Sequence, residues 1–304
     1  MSTRNRYLFA FLLTTGMLAL LRTGYGTWKR KLIDCLRVGS RVVETPAGSV
    51  EYWMEGTGPA LLIAHGSPGG YDQGAVVARL LSDGDYTCIA PSRPGYLRTP
   101  LASGQTPEAQ ADLYTALLDA LGIEQVTMVG VSGGGPSAIQ FAVRHPERCQ
   151  GLVLMCAVTH HYSDREVLPH LPLPIRITRK ILDWMILFDP TVFWLVLQTQ
   201  WLPPMKPMRD FLNSFALHAL RKVGYENDMH QFDRIKSYPL EDVSVPTLIL
   251  HARQDPKVLF LDAELAASRI PQAHLVPFEG PDHAFFITRK DTCTSTIRKF
   301  LATL

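Results

Sequence analysis

MVGVSGGGPSA (Met128–Ala138) sets Ser132 among four glycines directly after a short apolar run. Strand, glycine turn and helix begin both a phosphate-binding loop and a nucleophile turn, so the neighbouring residues must separate the two. Gly133 to Ala138 matches G-x-G-x-x-A, a permitted dinucleotide pattern, but that pattern needs an acidic residue at the end of the next strand. Here that strand ends Ala157-Val158-Thr159-His160, with nothing acidic before Asp164, and the loop lacks the Lys-Ser/Thr ending of a P-loop. The nucleophile reading asks for G-x-S-x-G, and Gly130-Val131-Ser132-Gly133-Gly134 supplies it. Ser132 is the candidate nucleophile. The backbone N–H of Gly133, opening the helix, would face a developing oxyanion.

A serine hydroxyl attacks only when a base takes its proton and an acid orients that base. Downstream, the strand TLILHA (Thr247–Ala252) runs into Arg253-Gln254-Asp255-Pro256, and HLVPFEG (His274–Gly280) runs into Pro281-Asp282-His283. Asp255 and His283 would then occupy neighbouring loops beyond the carboxyl ends of core strands, the edge at which open α/β sheets bind ligands. The rival histidines lie inside a strand (His251), near a helix end (His145) or at a strand start (His274). Asp282, Asp242 and Asp233 are the alternative acids. A second oxyanion donor is expected in His65-Gly66-Ser67-Pro68-Gly69-Gly70, from the N–H of Ser67, with His65 as a structural tie.

Around these motifs strands and helices alternate, as in a doubly wound sheet with helices on both faces. RVVETPAGSVEYWMEGTGPALLIAHG reads as three strands; ALLIA (Ala60–Ala64), continuously apolar, reads as one buried on both faces. Helices are expected over Ala75–Leu81, Pro107–Leu121, Gly135–Arg144 and Phe260–Ser268 and near Ile297–Leu301, and strands over Tyr86–Ala90, Val126–Gly130 and Leu152–Val158. From Thr159 to Asp242 the rhythm stops. That stretch shows no strand pattern, carries Trp184, Trp194 and Trp201, and predicts a helix around Phe211–Val223.

With 46% hydrophobic and 19% charged residues, the 304-residue chain can bury a large core. Thirty basic against 28 acidic residues leave a formal charge of +2, which argues against a nucleic-acid partner. Cys35, Cys88, Cys149, Cys156 and Cys293 form no CxxC pair, so no zinc or redox motif is implied. Tyr7–Leu21 carries no charge and is flanked by Arg4, Arg6 and Arg22. It reads as a membrane anchor, with Lys29, Arg30, Lys31 and Arg37 keeping the body cytoplasmic. The alternative is a cleaved secretory signal, although no A-x-A-like site follows the apolar run.

Taken in order, HGSPGG, SRPGYLRTP, GVSGGGP, RQDP and GPDHAFF resemble the α/β-hydrolase superfamily, in its cap-bearing group with an HG-x-P oxyanion loop, over Val42 to Leu304. The resemblance implies an α/β-hydrolase fold with a mostly parallel eight-stranded sheet and a helical cap inserted after strand six. It also implies Ser132 as nucleophile, His283 as base, Asp255 as acid, Ser67 and Gly133 as oxyanion donors, and no cofactor or metal. Ser92 stands where relatives usually carry aspartate, Leu97 where they carry glycine, and Ala252 replaces a common glycine. The expected organisation is an N-terminal segment (1–28), a first core part (29–158), the cap (159–242) and a second core part (243–304). The expected activity is a serine hydrolase acting through an acyl-enzyme on a carboxylic ester with an apolar group, which would fill an aromatic-rich pocket under the cap. Amide hydrolysis of the proline iminopeptidase type, C–C bond hydrolysis and acyl transfer are alternatives within this chemistry. A non-catalytic ligand receptor on the same fold is the alternative outside it.

Overall fold

A computed structural model describes residues 22–163, 168, 173–199 and 205–304. The apolar segment Tyr7–Leu21 and Trp201 lie outside the described residues. One helix, α1, covers 22–38, so the boundary drawn after Trp28 falls inside it.

The sheet has eight strands: β1 (Arg41–Thr45), β2 (Gly48–Glu55), β3 (Ala60–Ala64), β4 (Thr87–Pro91), β5 (Val126–Val131), β6 (Cys149–Met155), β7 (Thr247–Ala252) and β8 (Ala273–Phe278). Their order is β1-β2-β4-β3-β5-β6-β7-β8, with β1–β2 and β2–β4 antiparallel and the other pairings parallel. Register aligns Ala64 with Gly130 and Gly130 with Leu154. The carboxyl ends of β3, β5, β7 and β8 therefore open at one edge, followed by the loops of Ser67, Ser132, Asp255 and His283.

Side chains alternate between the sheet's faces. Leu62, Met128, Leu152 and Leu154 pack with α3 (Pro107–Leu121), α4 (Gly135–Arg144) and α9 (Phe260–Arg269), through Tyr114, Leu117, Phe141 and Ala266. Leu61, Ile63, Val129, Val153 and Leu250 face α2 (Tyr71–Leu81), α10 (Phe285–Thr288) and α11 (Lys290–Leu301), through Val77, Leu81, Phe285 and Ile297. Each fully buried leucine contributes roughly 2–3 kcal/mol by leaving water. The helix α3 begins and ends where its sequence says. Pro107 follows Thr106, whose hydroxyl accepts the N–H of Ala109 at 3.3 Å, and Gly122 closes it in the left-handed region at φ 67°.

Three expected elements shift, the first two through a tertiary contact. α2 starts at Tyr71 rather than Ala75, because the Tyr71 N–H donates to Ser92 Oγ at 3.0 Å and gains a partner from another loop. β6 begins at Cys149 and stops at Met155; Cys156 then turns at φ 42° and the Val158 N–H donates to the Ser132 carbonyl at 3.0 Å. The helix expected over Phe211–Val223 is not continuous. α7 (Lys206–Asn213) enters only its first three residues, Leu217 sits at φ 60°, and α8 (Lys222–Arg234) starts afresh. With α5 (Leu173–Leu187) and α6 (Asp189–Thr199), these helices fill the interval between β6 and β7.

Candidate active site

Ser132 follows β5 at φ 49°, a left-handed conformation that lifts its side chain off the strand and costs a non-glycine residue on the order of 1 kcal/mol. Small neighbours make the turn possible. A Cβ on Gly130 would lie 2.7 Å from the Ala138 Cβ, and one on Gly134 would strike the Ala64 carbonyl. The glycines are thus required by the close approach of strand and helix.

The structure brings Ser132, His283 and Asp255 together. His283 Nε2 lies 3.0 Å from Ser132 Oγ, and His283 Nδ1 lies 2.7 Å from Asp255 Oδ2. The other Asp255 oxygen accepts the N–H groups of Lys257 at 2.7 Å and Val258 at 3.1 Å. An acceptor-only carboxylate fixes the imidazole with its proton on Nδ1, leaving Nε2 to accept the serine proton. Burial pushes the Asp255 pKa up, but His283, His251 and the Lys257 N–H outweigh it, and the carboxyl ends below its ordinary value. His251, from β7, lies 3.6 Å from Asp255 Oδ2 and donates from Nε2 to the Val258 carbonyl at 3.0 Å. Burial keeps it below the usual histidine pKa. This histidine therefore shapes the acid's loop. Cys156 brings a thiol near Asp255 and His283, the one metal-like grouping among the described residues. Burial and Asp255 hold that thiol well above its ordinary pKa, which disfavours the thiolate a metal would need.

Ser67 and Gly133 face each other so closely that a Cβ on Gly133 would collide with Ser67 Oγ. The loop carrying Ser67 is tied down on several sides. Gln73, on α2, accepts the Gly66 N–H at 2.8 Å and donates to the Pro68 carbonyl at 3.0 Å. His65 donates from Nδ1 to the Gly66 carbonyl at 2.7 Å and accepts the Arg93 N–H on Nε2 at 2.9 Å. Burial holds its pKa well below 6.5, so it is a neutral tie and not a base. Beneath lies a second polar cluster. Asp228, projecting from α8, accepts from Arg93 at 2.8 and 2.5 Å, from the Tyr96 hydroxyl at 2.5 Å and from the Ser67 hydroxyl.

Two of the departures from the pattern that the sequence resembles have physical roles here. Ser92 donates to Glu51 Oε2 at 2.8 Å while accepting the Tyr71 N–H. Leu97 keeps the φ of 51° that a glycine would adopt freely, and its N–H donates to the Leu220 carbonyl at 2.9 Å. The Gly224 N–H donates to the Gly95 carbonyl at 2.9 Å, so this loop is the seat on which the insert rests.

Ser132 and His283 open into a cavity of about 220 Å³. Its walls are mostly apolar, including Val158, Ile186, Met208, Phe211, Phe215, Met229 and Phe232, and an ion pair of Lys257 with Asp183 crosses one side. The site can move a proton from Ser132 to His283 and enclose an apolar group beside it.

Residues 59–290 match a family model described as the alpha/beta hydrolase fold. The chain belongs to the alpha/beta hydrolase family. Among its relatives, the uncharacterized hydrolase YcgS of Bacillus subtilis (strain 168) is 29% identical over 276 residues, covering 84% of this chain and 97% of the relative. The 2-hydroxymuconate semialdehyde hydrolase of Pseudomonas putida is 30% identical over 254 residues, 80% and 87% of the two chains. An alpha/beta hydrolase fold protein from Nakamurella multipartita superposes with a TM-score of 0.69 at 33% identity, covering 87% of this hydrolase and 98% of that chain. The esterase of Thermogutta terrifontis, at 21% identity and a TM-score of 0.65, shares the fold.

Sequence reasoning missed Gln73, Asp228 and His251 as parts of this hydrolase's site. Arg93 and Tyr96 stand inside a quoted motif, but their partner Asp228 lies 135 and 132 residues away on a helix with no local signature.

Proposed function

We propose that this alpha/beta hydrolase is a serine ester hydrolase working through a covalent acyl-enzyme on a carboxylic ester with an apolar group. The observation that carries the reading is the relay from Ser132 through His283 to Asp255, opening into an apolar cavity. Ser132 Oγ attacks the ester carbonyl as His283 Nε2 takes its proton, and the oxyanion forms against the N–H groups of Ser67 and Gly133. The C–O bond breaks, the alcohol leaves with the proton from His283, and the acyl group stays on Ser132. Water, deprotonated by His283, then attacks the acyl carbon and releases the carboxylate. Asp255 holds the imidazole and stabilises its charged form. None of these steps calls on a metal or an organic cofactor. Likeness to the P. putida semialdehyde hydrolase supports a second reading, hydrolysis of a C–C bond beside a carbonyl.

The test treats the full-length chain with a fluorophosphonate and maps the adduct by mass spectrometry. One adduct on Ser132, lost in Ser132→Ala and His283→Ala, is expected, with turnover fastest for esters of apolar acids. Folded protein that takes no adduct, yet binds an apolar ligand saturably, would replace this reading with that of a receptor. Turnover of vinylogous 1,5-diketones in preference to esters would favour the C–C reading.

A further inference from the structure

α5 carries an apolar stripe outward. Leu173, Ile177, Ile181 and Trp184 are 59%, 49%, 50% and 60% exposed, and at 100° per residue they fall within an arc of roughly 80°. Phe188, 48% exposed, stacks on Trp184 at 5.8 Å and carries the stripe to the corner where α6 departs. Trp194, on α6, is 56% exposed. A helix serving only as a cavity roof would turn its apolar side inward. Here Asp183 and Ile186 line the cavity, and Arg179 is buried with its guanidinium over the Tyr162 ring.

The N-terminal helix reaches this same corner. Tyr25 and Trp28 pack on Phe193 at 5.5 and 5.2 Å, and Lys29 pairs with Asp189, next to Phe188, at 3.4 Å. The uncharged Tyr7–Leu21 run joins the described structure at Arg22, one turn before Tyr25. Arg22, Arg30, Lys31 and Arg37 on α1 and Lys180 on α5 are exposed cations, against a single exposed acid, Asp34, on α1.

We propose that this face of the insert lies on an anionic lipid bilayer, with the Leu173–Ile177–Ile181–Trp184 stripe at the acyl boundary and the basic residues among the headgroups. No single described helix is long and apolar enough to cross a membrane, and α5 and α6 meet at 95°. An exposed apolar stripe with cations nearby in the sequence suits a helix lying in the interface plane, held by buried apolar area together with attraction to anionic lipid. A lipid-dissolved ester would then meet the roof of the cavity, since α5 presents Ile186 to the site and Trp184 to the membrane. The docking goes beyond the hydrolase reading and does not depend on it.

The experiment mixes full-length protein with phosphatidylcholine vesicles, with and without phosphatidylglycerol, carrying bromine on the acyl chains. Tryptophan quenching is expected with the anionic vesicles, weaker with neutral ones, and reduced in Trp184→Phe. Ile177→Asp with Ile181→Asp should lower the Trp184 share of quenching several-fold while fluorophosphonate labelling of Ser132 is unchanged. Vesicle-bound protein whose quenching is the same in Trp184→Phe overturns the proposal, because residues 7–21 alone would then hold the chain. Failure to bind vesicles overturns it too. So does shielding of Trp184 from iodide before lipid is added, with light scattering telling a second copy from the chain's own N-terminus. Labelling at Ser132 reports on the hydrolase reading separately, so the two can fail independently.

Discussion

Two polar clusters flank the cavity and are built in opposite ways. Ser132, His283 and Asp255 come from three loops of one sheet edge, and His283 remains 23% exposed, open to the cavity. Arg93, Tyr96 and Ser67 converge on Asp228 from the insert, and the Arg93 and Asp228 side chains are 2% and 4% exposed. The first cluster buries one charge and leaves a proton free to move. The second buries two opposite charges, whose desolvation is offset only while every partner is present. One cluster is arranged to react. The other ties the insert to the loop of Ser67.

Asp255→Asn should break the first cluster with the largest effect. An amide facing Nδ1 favours the wrong imidazole tautomer, so ester turnover should fall about 10⁴-fold with little change in melting temperature. Steady-state kinetics beside thermal unfolding checks this, and near-normal turnover would point to Asp282 as the acid.

Asp228→Ala should break the second cluster, costing about 3–5 kcal/mol of stability because the Arg93 charge is left buried and unpaired. Replacing both, Arg93→Met with Asp228→Leu, should return denaturant stability to within about 2 kcal/mol of the parent. Turnover should nevertheless stay low, since Ser67 has lost its anchor. Full recovery of turnover in the double variant would show that the cluster is only structural.

The smallest effect belongs to a third tie. Asp262 accepts the N–H groups of Thr159 and His160, both at 3.2 Å, where the chain leaves the body. Burial, opposed by those two N–H groups, pushes its pKa up to about 7. The folded state therefore holds this proton more tightly than the unfolded chain, whose carboxyl titrates near its ordinary value of about 3.9. Stability falls as pH rises from about 4 to 7 and stays lower above. Asp262→Asn should raise stability at pH 8 and leave it unchanged near pH 4, read as the melting temperature at the two values. An equal shift at both values would show that Asp262 does not titrate in this window.

The elbow was legible because its chemistry is local. Glycines at 130 and 134 and a serine between them answer to backbone crowding within five residues, and Asp255 and His283 each sit just past an apolar strand. Helix α3 was legible for the same reason, with Thr106, Pro107 and Gly122 marking its ends. Elements whose ends depend on distant groups shifted: the start of α2 on Ser92 and the end of β6 on the Ser132 carbonyl; the break between α7 and α8 comes with Leu217 in the left-handed region.

By itself, the sequence determined the alternation of strands and helices, the serine turn and the order of serine, acid and histidine, since each is written within a few consecutive residues. Only the tertiary structure decided that Asp228 reaches the loop of Ser67, that His251 braces the loop of Asp255, and that an apolar stripe of α5 faces outward. Those outcomes depend on which surfaces meet. A carboxylate, an imidazole or a row of leucine, isoleucine and tryptophan looks the same in a sequence whether it lies under a charge partner, beside another loop or in the solvent.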